Sequence, residues 1–160
     1  MDEFYEMATR QLYKVKLGGV ESTDEIVRHL KEKGFCHVNE LITQVNFPLK
    51  LHEIEDVEIE IIDPGCPFTE DEGFSFLKAA GLKPPTEENA IRFTEQCGTM
   101  TTGAKPYVVF LHKPRLDWDL DPSILYLDRR PGHLWFDLLC LSDNWFGFND
   151  NYVIAGVRQL

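Results

Sequence analysis

The sequence has few cysteines, and none of them forms a C-x-x-C pair. The four are spread along the chain, at Cys36, Cys66, Cys97 and Cys140. This spacing excludes a zinc knuckle and a thioredoxin-type redox motif. We therefore predict reduced cysteines that pack mostly in the core, where free cysteines are common.

Basic residues are also scarce. The 16 Lys and Arg residues stand against 27 Asp and Glu, which gives a formal net charge of -11. The imbalance is local, because residues 51 to 77 contain nine acids and no lysine or arginine. Binding to phosphates needs the opposite sign, so no nucleic-acid partner is expected.

Long hydrophobic runs are missing as well. No apolar run approaches the roughly 18 residues of a membrane span, and no Pro/Ser-rich stretch divides the chain. The start, Met1-Asp-Glu-Phe-Tyr-Glu, lacks the basic residues of a signal peptide. A chain of 160 residues with 43% hydrophobic content is long enough for one core. We expect a single globular domain over residues 1–160, cytoplasmic and without a membrane partner.

Four apolar runs in the C-terminal half have the β-branched and aromatic composition of strands and are bounded by Pro, Gly, Asp and Asn. They cover residues 107–111, 123–127, 134–139 and 152–157. We predict an antiparallel meander in chain order that forms one wall of the core. All three tryptophans also lie in this half, at Trp118, Trp135 and Trp145.

Two capping boxes in the N-terminal half predict helices. Ser22 precedes Glu25 by three residues before an apolar stripe, and Thr69 precedes Glu72 in the same way. A glycine follows each stripe at a position suited to a C-terminal cap. We expect helices to begin at both boxes.

Three further segments are predicted from their periodicity. Apolar residues at every fourth position favour a helix over residues 3–13, with a short edge strand at residues 15–17. A shorter helix is expected over residues 37–44. Valine and isoleucine alternate with glutamate over residues 57–61, which predicts a strand with its carboxylates facing water.

Residues 84–95 allow two interpretations. Pro84 to Glu88 begins either a third helix or a single turn. Because Ile91 and Phe93 alternate with polar residues, a turn followed by a strand over residues 90–95 is favoured over the helix. The whole pattern predicts an α+β fold, in which a mostly antiparallel sheet of about five to seven strands has two or three helices on one face.

Several of these segments carry a resemblance. They are Val15-Lys-Leu-Gly18, Val57-Glu-Ile-Glu-Ile61, Ala80-Gly-Leu82, Pro85-Thr-Glu87, Ile91-Arg-Phe93, Asp119-Leu-Asp-Pro-Ser-Ile124, Leu134-Trp135, and Asn144-Trp145 with the run to Val157. The chain resembles a group of small bacterial proteins found among mobile gene cassettes of the integron type. It departs from that group in a longer segment over residues 143–151. The resemblance implies an α+β fold and a cytosolic accessory protein, and it brings no activity with it.

Motifs for metal binding and catalysis are weak. Residues 117–128 begin like a calcium loop, but Pro122 stands where that loop needs glycine. None of the five histidines lies in an H-x-x-x-H pattern, so we expect no metal and no cofactor. A thiol nucleophile remains conceivable at Cys97, or at Cys36 beside His37, and would make the protein a small hydrolase or transferase.

An aromatic cluster near the C-terminus is the candidate binding surface. The segment that contains Trp145 is rich in Asn, Asp and Gly, which is typical of an exposed loop. Flat rings beside amides and carboxylates suit stacking against a polar ring such as a sugar. The candidate residues are Trp135, Trp145, Phe146, Phe148, Asn149 and Tyr152. The same rings could instead cap the core, with the asparagines forming turns.

We therefore predict a non-catalytic binding or accessory protein that takes a small polar ligand or a protein partner at this aromatic edge. One alternative is a small hydrolase or transferase with cysteine, histidine and carboxylates in one cleft. The other is a self-associating structural module whose rings form a homodimer interface. A concave pocket with a perturbed titratable group, a concave pocket without one, or a flat patch would distinguish these possibilities.

Overall fold

The chain has an α+β fold in the computed structural model, which describes residues 10–99, 105–116, 121–141 and 147–159. These ranges contain three helices and nine strands. The helices are α1 (Thr23–Glu32), α2 (Glu70–Ala79) and α3 (Glu87–Cys97). The strands are β1 (Arg10–Gly19), β2 (His37–Val38), β3 (His52–Ile62), β4 (Leu82–Lys83), β5 (Tyr107–Val109), β6 (Arg115–Leu116), β7 (Pro122–Arg130), β8 (His133–Cys140) and β9 (Tyr152–Arg158).

The nine described strands form one mixed sheet. Its order is β1-β3-β9-β5-β7-β8-β2, with β4 added to β9 and β6 to β7. The pairs β2–β8 and β5–β9 are parallel, and the other pairs are antiparallel. The α+β class and the mostly antiparallel sheet are therefore confirmed.

The predicted four-strand meander is not confirmed, because β9 leaves the chain order. Strands β5, β7 and β8 are antiparallel neighbours, as predicted. However, β9 lies on the far side of β5, parallel to it, and pairs with β3 on its other side. Residues 153–157 are consequently all buried. A continuous apolar run of this kind is typical of a central strand with both faces covered.

The core consists of two apolar clusters, one on each face of the sheet. Val108 packs in the cluster that also contains Ile26 of α1 and Phe93 of α3, whereas Val109 packs in the cluster that contains Leu77 of α2. Successive strand residues point to opposite faces. Helices α1 and α3 therefore lie on one face and α2 on the other, so the prediction of all helices on one face is not confirmed.

Both predicted capping boxes are present. Ser22 Oγ accepts from the backbone N–H of Glu25 at 3.2 Å, and Ser22 N–H donates to Glu25 Oε1 at 3.4 Å. Thr69 and Glu72 make the same reciprocal bonds at 3.2 and 3.0 Å. The starts of α1 and α2 are therefore confirmed. Within the described ranges, no helix has the length and hydrophobicity needed to cross a membrane.

Helix α3 replaces the strand that was favoured over residues 90–95, so that prediction is wrong. Its start is a third reciprocal box, in which Thr86 Oγ1 accepts from Asn89 N–H at 3.1 Å and Asn89 Oδ1 accepts from Thr86 N–H at 2.7 Å. Every residue from 89 to 94 is buried, because the helix packs against β1, β7 and α1. A stretch that is buried at every position shows no contrast between a buried and an exposed face, so its helical period is hidden.

Two N-terminal helix predictions are also wrong where they can be compared. Residues 10–13 belong to the ten-residue edge strand β1, and residues 3–9 lie outside the described ranges. The short helix over residues 37–44 is absent, because His37 and Val38 pair with β8 instead. Asn39 then forms a turn, since its Oδ1 accepts from Leu41 N–H at 2.8 Å.

Strand β3 is confirmed, but one of its carboxylates does not face water as predicted. Glu60 is buried. Arg10 Nε lies 2.6 Å from its Oε2, and Arg158 Nε lies 3.2 Å from its Oε1. Both arginines come from strands that flank β3, so the carboxylate is neutralised inside the sheet rather than hydrated.

Candidate functional site

A row of side chains crosses one face of the sheet from β9 to β2. Tyr107 of β5 lies opposite Tyr152 of β9 on one side and Asp128 of β7 on the other. Asp128 lies opposite Trp135 of β8, which in turn lies opposite His37 of β2. Cross-strand partners share a face. We call the row and its two neighbours the tyrosine–aspartate face, which consists of His37, Tyr107, Tyr126, Asp128, Trp135, Asp137 and Tyr152.

Three tyrosines form the centre of this face. The ring centroids of Tyr107 and Tyr152 are 4.9 Å apart, and Tyr126 lies 6.3 and 6.5 Å from them. All three side chains are half-buried. Among the residues that the structure describes, none forms a hydrogen bond with the three hydroxyl groups. These hydroxyls are therefore available to a ligand.

The surroundings keep two of these hydroxyls protonated. Burial raises the pKa of Tyr126 to about 12, and the charge of Asp137 adds to the shift. Burial also raises the pKa of Tyr152, with smaller contributions from Tyr107 and Asp128. At neutral pH each hydroxyl can therefore donate one hydrogen bond and accept others.

The two carboxylates of the face are held in fixed positions. Arg130 grips Asp128 with both ends of its guanidinium, at 2.6 Å from Nη2 to Oδ2 and 3.0 Å from Nε to Oδ1. Asn39 Nδ2 donates to Asp137 Oδ1 at 2.7 Å, and His37 Nε2 lies 3.4 Å from Asp137 Oδ2. Such bonds orient the carboxylate oxygens before any ligand arrives.

Two of the predicted site residues, Trp135 and Tyr152, lie on this face. Trp135 is half-buried between two imidazoles. Its ring stacks on His133 with centroids 4.7 Å apart and planes 18° apart, and it meets His37 at 4.7 Å and 45°. Trp135 and Tyr152 are separated by β5 and β7, whose side chains Tyr107 and Asp128 fill the row between them.

Two other predicted members have structural roles. Phe148 is 2% exposed and stacks on Phe68 with centroids 4.9 Å apart, so it belongs to the core rather than to an exposed surface. Asn149 is exposed, but its Oδ1 accepts from Asn151 N–H at 2.9 Å and forms a turn. The remaining two predicted members lie outside the described residues: Trp145 and Phe146.

Sequence reasoning missed Tyr107, Tyr126, Asp128 and Asp137. A signal was present in β7, where Tyr126 and Asp128 alternate with buried apolar residues of the opposite face. Their convergence depends on strand order, which the alternation does not contain.

A cleft of about 560 Å³ opens beside the N-terminus of α3. It is lined by Pro85, Thr86, Glu87, His112, Lys113, Pro114 and Arg115. Arg115 binds both carboxylate oxygens of Glu87. His112 Nε2 accepts from Leu125 N–H at 3.0 Å, and its Nδ1 donates to the carbonyl of Lys113 at 2.7 Å. The imidazole is thus neutral with both nitrogens used, so it does not suit acid–base catalysis.

The cysteines do not form a nucleophilic site with the described histidines. Burial raises the pKa of the Cys97 thiol, which keeps it protonated. Cys36 is exposed, with Sγ 3.5 Å from the carbonyl of Gly132, while its neighbour His37 contacts Asp137. None of the four cysteines forms a disulfide. Burial in the core is confirmed for Cys97 only, since Cys36 and Cys66 are exposed and Cys140 is half-buried.

His112 leads to a pH prediction. Burial lowers the pKa of His112 below its ordinary value of 6.5. His112 therefore binds a proton more readily in the unfolded chain than in the folded one. As a result, the folded state loses stability as pH falls from 6.5 through the lowered pKa. Urea unfolding between about pH 7 and about pH 5 should show a steeper loss for the wild type than for His112→Gln, by at most about 1.4 kcal/mol per pH unit. Parallel curves would contradict this role.

Comparisons with known proteins add no assignment. No protein-family model matches the chain, and no curated protein or solved structure matches it either. The resemblance to cassette-associated proteins therefore stays a prediction.

Proposed function

We propose that this chain is a cytoplasmic, non-catalytic accessory protein of the mobile-cassette type that binds a small polar ring, such as a sugar, on the tyrosine–aspartate face. One observation carries the proposal: the hydroxyls of Tyr107, Tyr126 and Tyr152 have no hydrogen-bond partner among the described residues. The hydroxyl of a tyrosine whose ring is partly buried and whose oxygen stays accessible can hydrogen-bond to a bound molecule. A ligand with hydroxyl groups of its own would supply that partner.

The chemistry of the face suits such a ligand. Tyrosine rings offer flat apolar surface to the C–H face of a sugar, and their hydroxyls can exchange hydrogen bonds with its rim. Asp137 is the more accessible carboxylate, with its side chain 17% exposed against 4% for Asp128. We expect Asp137 to accept hydrogen bonds from ligand hydroxyls. Arg130, whose guanidinium lies 5.7 Å from the Tyr107 ring, contributes a donor at the rim.

Location and catalysis are inferred from separate features. The four cysteines, none of which forms a disulfide, support a reducing compartment such as the cytoplasm. The neutral, fully bonded His112 and the protonated Cys97 give no support to a hydrolase or transferase with these groups. The acidic net charge of -11 supports a partner other than nucleic acid.

The proposal predicts that saccharide binding depends on the tyrosine hydroxyls of this face and not on tyrosine hydroxyls elsewhere in the protein. A panel of mono- and disaccharides, followed by saturation-transfer NMR, should give at least one binder to the wild type. Tyr107→Phe with Tyr126→Phe should weaken that binder about tenfold or more, since each 1.4 kcal/mol of lost hydrogen bonding is about tenfold in affinity. Stability should stay within about 1 kcal/mol, because the change removes only solvent-accessible hydroxyls.

Tyr13→Phe is the matched control, because it removes a hydroxyl in the cluster on the opposite face. It should leave the saccharide affinity unchanged. A panel without any binder would contradict the sugar proposal. If sedimentation then showed a dimer that the double variant dissociates, the face would be a self-association surface instead.

A further inference from the structure

Three potential metal ligands converge on the other face of the sheet, away from the tyrosine–aspartate face. They come from three elements: Glu21 precedes α1, His29 lies on α1 and Glu95 lies on α3. His29 Nδ1 is 3.2 Å from Glu21 Oε2 and 3.6 Å from Glu95 Oε2. The three donor atoms all lie within 4.8 Å of one another.

Arg92 orients both carboxylates from behind. Its Nη1 lies 3.2 Å from Glu21 Oε1 and 3.2 Å from Glu95 Oε1, so each carboxylate keeps its Oε2 turned toward His29. Its Nη2 donates to the carbonyl of Gly18 at 2.7 Å. Hydrogen bonds to the far oxygen of a ligating carboxylate are a regular feature of metal sites, where they fix the ligand and tune its affinity.

Arg92 is also buried with one nitrogen that has no hydrogen-bond partner among the described residues. Its side chain is 5% exposed, and Nε is the one buried side-chain nitrogen or oxygen without a partner among the described residues. Such orphaned donors are rare in folded proteins. Burying a guanidinium with an unpartnered Nε is unfavourable for stability. We therefore attribute the burial of Arg92 to its alignment of the two carboxylates.

The donor set fits a zinc-type ion. Bonds of about 2.0 to 2.1 Å at tetrahedral angles place neighbouring ligand atoms about 3.3 Å apart, and the two distances from His29 Nδ1 are 3.2 and 3.6 Å. One imidazole and two carboxylates are ligands of zinc and similar divalent ions. We propose that Glu21, His29 and Glu95 bind one divalent transition-metal ion of the zinc type, with water in the fourth position.

The site is open enough for the ion to enter. The side chains of His29 and Glu21 are 34% and 35% exposed, whereas Glu95 is 11% exposed. With a neutral imidazole, two carboxylates outweigh the single charge of Arg92, which leaves a net charge of -1 for a cation to meet. The competing arrangement is a protonated His29 that completes an ion-pair network and holds no metal.

Sequence patterns do not predict this metal site, because its three ligands are scattered along the chain. A search for H-x-x-x-H or C-x-x-C patterns finds pairs on one element. Here Glu21 and His29 are eight positions apart and Glu95 arrives on another helix. Only the packing of α1 against α3 brings them together.

Zinc binding to the full chain tests the proposal. We would remove metal with a chelator and titrate zinc by calorimetry in a Cys36→Ser, Cys66→Ser background, because both thiols are exposed and could bind zinc on their own. One ion per chain is expected. His29→Asn and Glu95→Gln should each weaken binding at least about tenfold, because losing even an outer-shell partner of a metal ligand typically costs that much.

The controls separate this site from adventitious binding. His37→Asn changes a histidine on the tyrosine–aspartate face and should leave zinc affinity unchanged. Zinc should raise the melting temperature of the background protein and of His37→Asn, but not that of His29→Asn. Cobalt in place of zinc should give the spectrum of nitrogen and oxygen ligands without a thiolate band.

If zinc fails to bind, or binds His29→Asn as tightly as the background, the proposal is wrong. Should Glu95→Gln not fold, His29→Asn decides alone, since its side chain is one-third exposed.

Discussion

Replacing Arg92 with methionine should lower the free energy of unfolding by about 3 to 5 kcal/mol, the range for removing one partner of a buried ion pair. The guanidinium touches Glu21 and Glu95 at 3.2 Å each and Gly18 O at 2.7 Å. Methionine keeps the approximate length of the apolar stem but lacks the guanidinium. The change would therefore leave two neighbouring carboxylates without their cation and a backbone carbonyl without its donor.

Arg28→Met is the matched control on α1. Arg28 is 65% exposed, and its Nε lies 4.0 Å from Glu32. Such an exposed helical pair contributes about 0.5 kcal/mol or less. Urea unfolding in the presence of a chelator measures both variants without any contribution from bound metal. Equal stability losses in the two variants would show that the Arg92 network is no stronger than a surface pair.

Short-range sequence signals, the two capping boxes, were enough to predict where α1 and α2 begin. The Ser22 and Thr69 boxes act through bonds within four residues, so the sequence contains everything needed to recognise α1 and α2. The box that begins α3 has Asn89 in place of glutamate, which weakened the signal. Burial of residues 89–94 then hid the helical period, because even Arg92 lies inside.

Most strands in the C-terminal half of the sheet could be predicted from residue composition, but their order in the sheet could not. Runs at residues 123–127 and 134–139 became β7 and β8 with the expected antiparallel pairing. The position of β9 between β3 and β5 is decided by tertiary packing on both faces, which no run of residues encodes locally. Leu12 lies in β1 with 47% of its surface exposed. Its spacing from apolar residues outside the described ranges suggested a helix that does not form at residues 10–13.

The same limit applies to the candidate sites. Trp135 and Tyr152 were selected for their aromatic composition, and the strand order then placed Tyr107 and Asp128 between them. Single rings can be chosen from a sequence, but their neighbours across a sheet cannot. Phe148 shows the opposite error, because glycine and asparagine around it suggested exposure while its own ring packs on Phe68.

The largest effect expected from a single methyl group is at Gly18, near the end of β1. Its φ is +87°, and a Cβ there would lie 2.9 Å from the carbonyl carbon of Glu53 and 2.9 Å from His52 Nδ1. The register of β1 with β3 shifts at this point, so the two backbones approach closely. Gly18→Ala should cost about 1 to 2 kcal/mol for the left-handed conformation and about 1 to 3 kcal/mol more for overpacking.

Gly19→Ala separates these two contributions. Gly19 has nearly the same backbone conformation, with φ of +93°, but its Cβ would meet nothing closer than Ile54 Cγ1 at 4.0 Å. It should therefore lose only the conformational part, about 1 to 2 kcal/mol. Gly18 also donates its N–H to Glu88 Oε2 at 3.0 Å and accepts from Arg92 through its carbonyl, so a displaced Gly18 should loosen the carboxylates that Arg92 aligns. Urea unfolding of both variants measures the difference between their losses of stability. Equal losses would mean that β3 moves to make room for the methyl group, so that the close approach at Gly18 does not constrain the residue there.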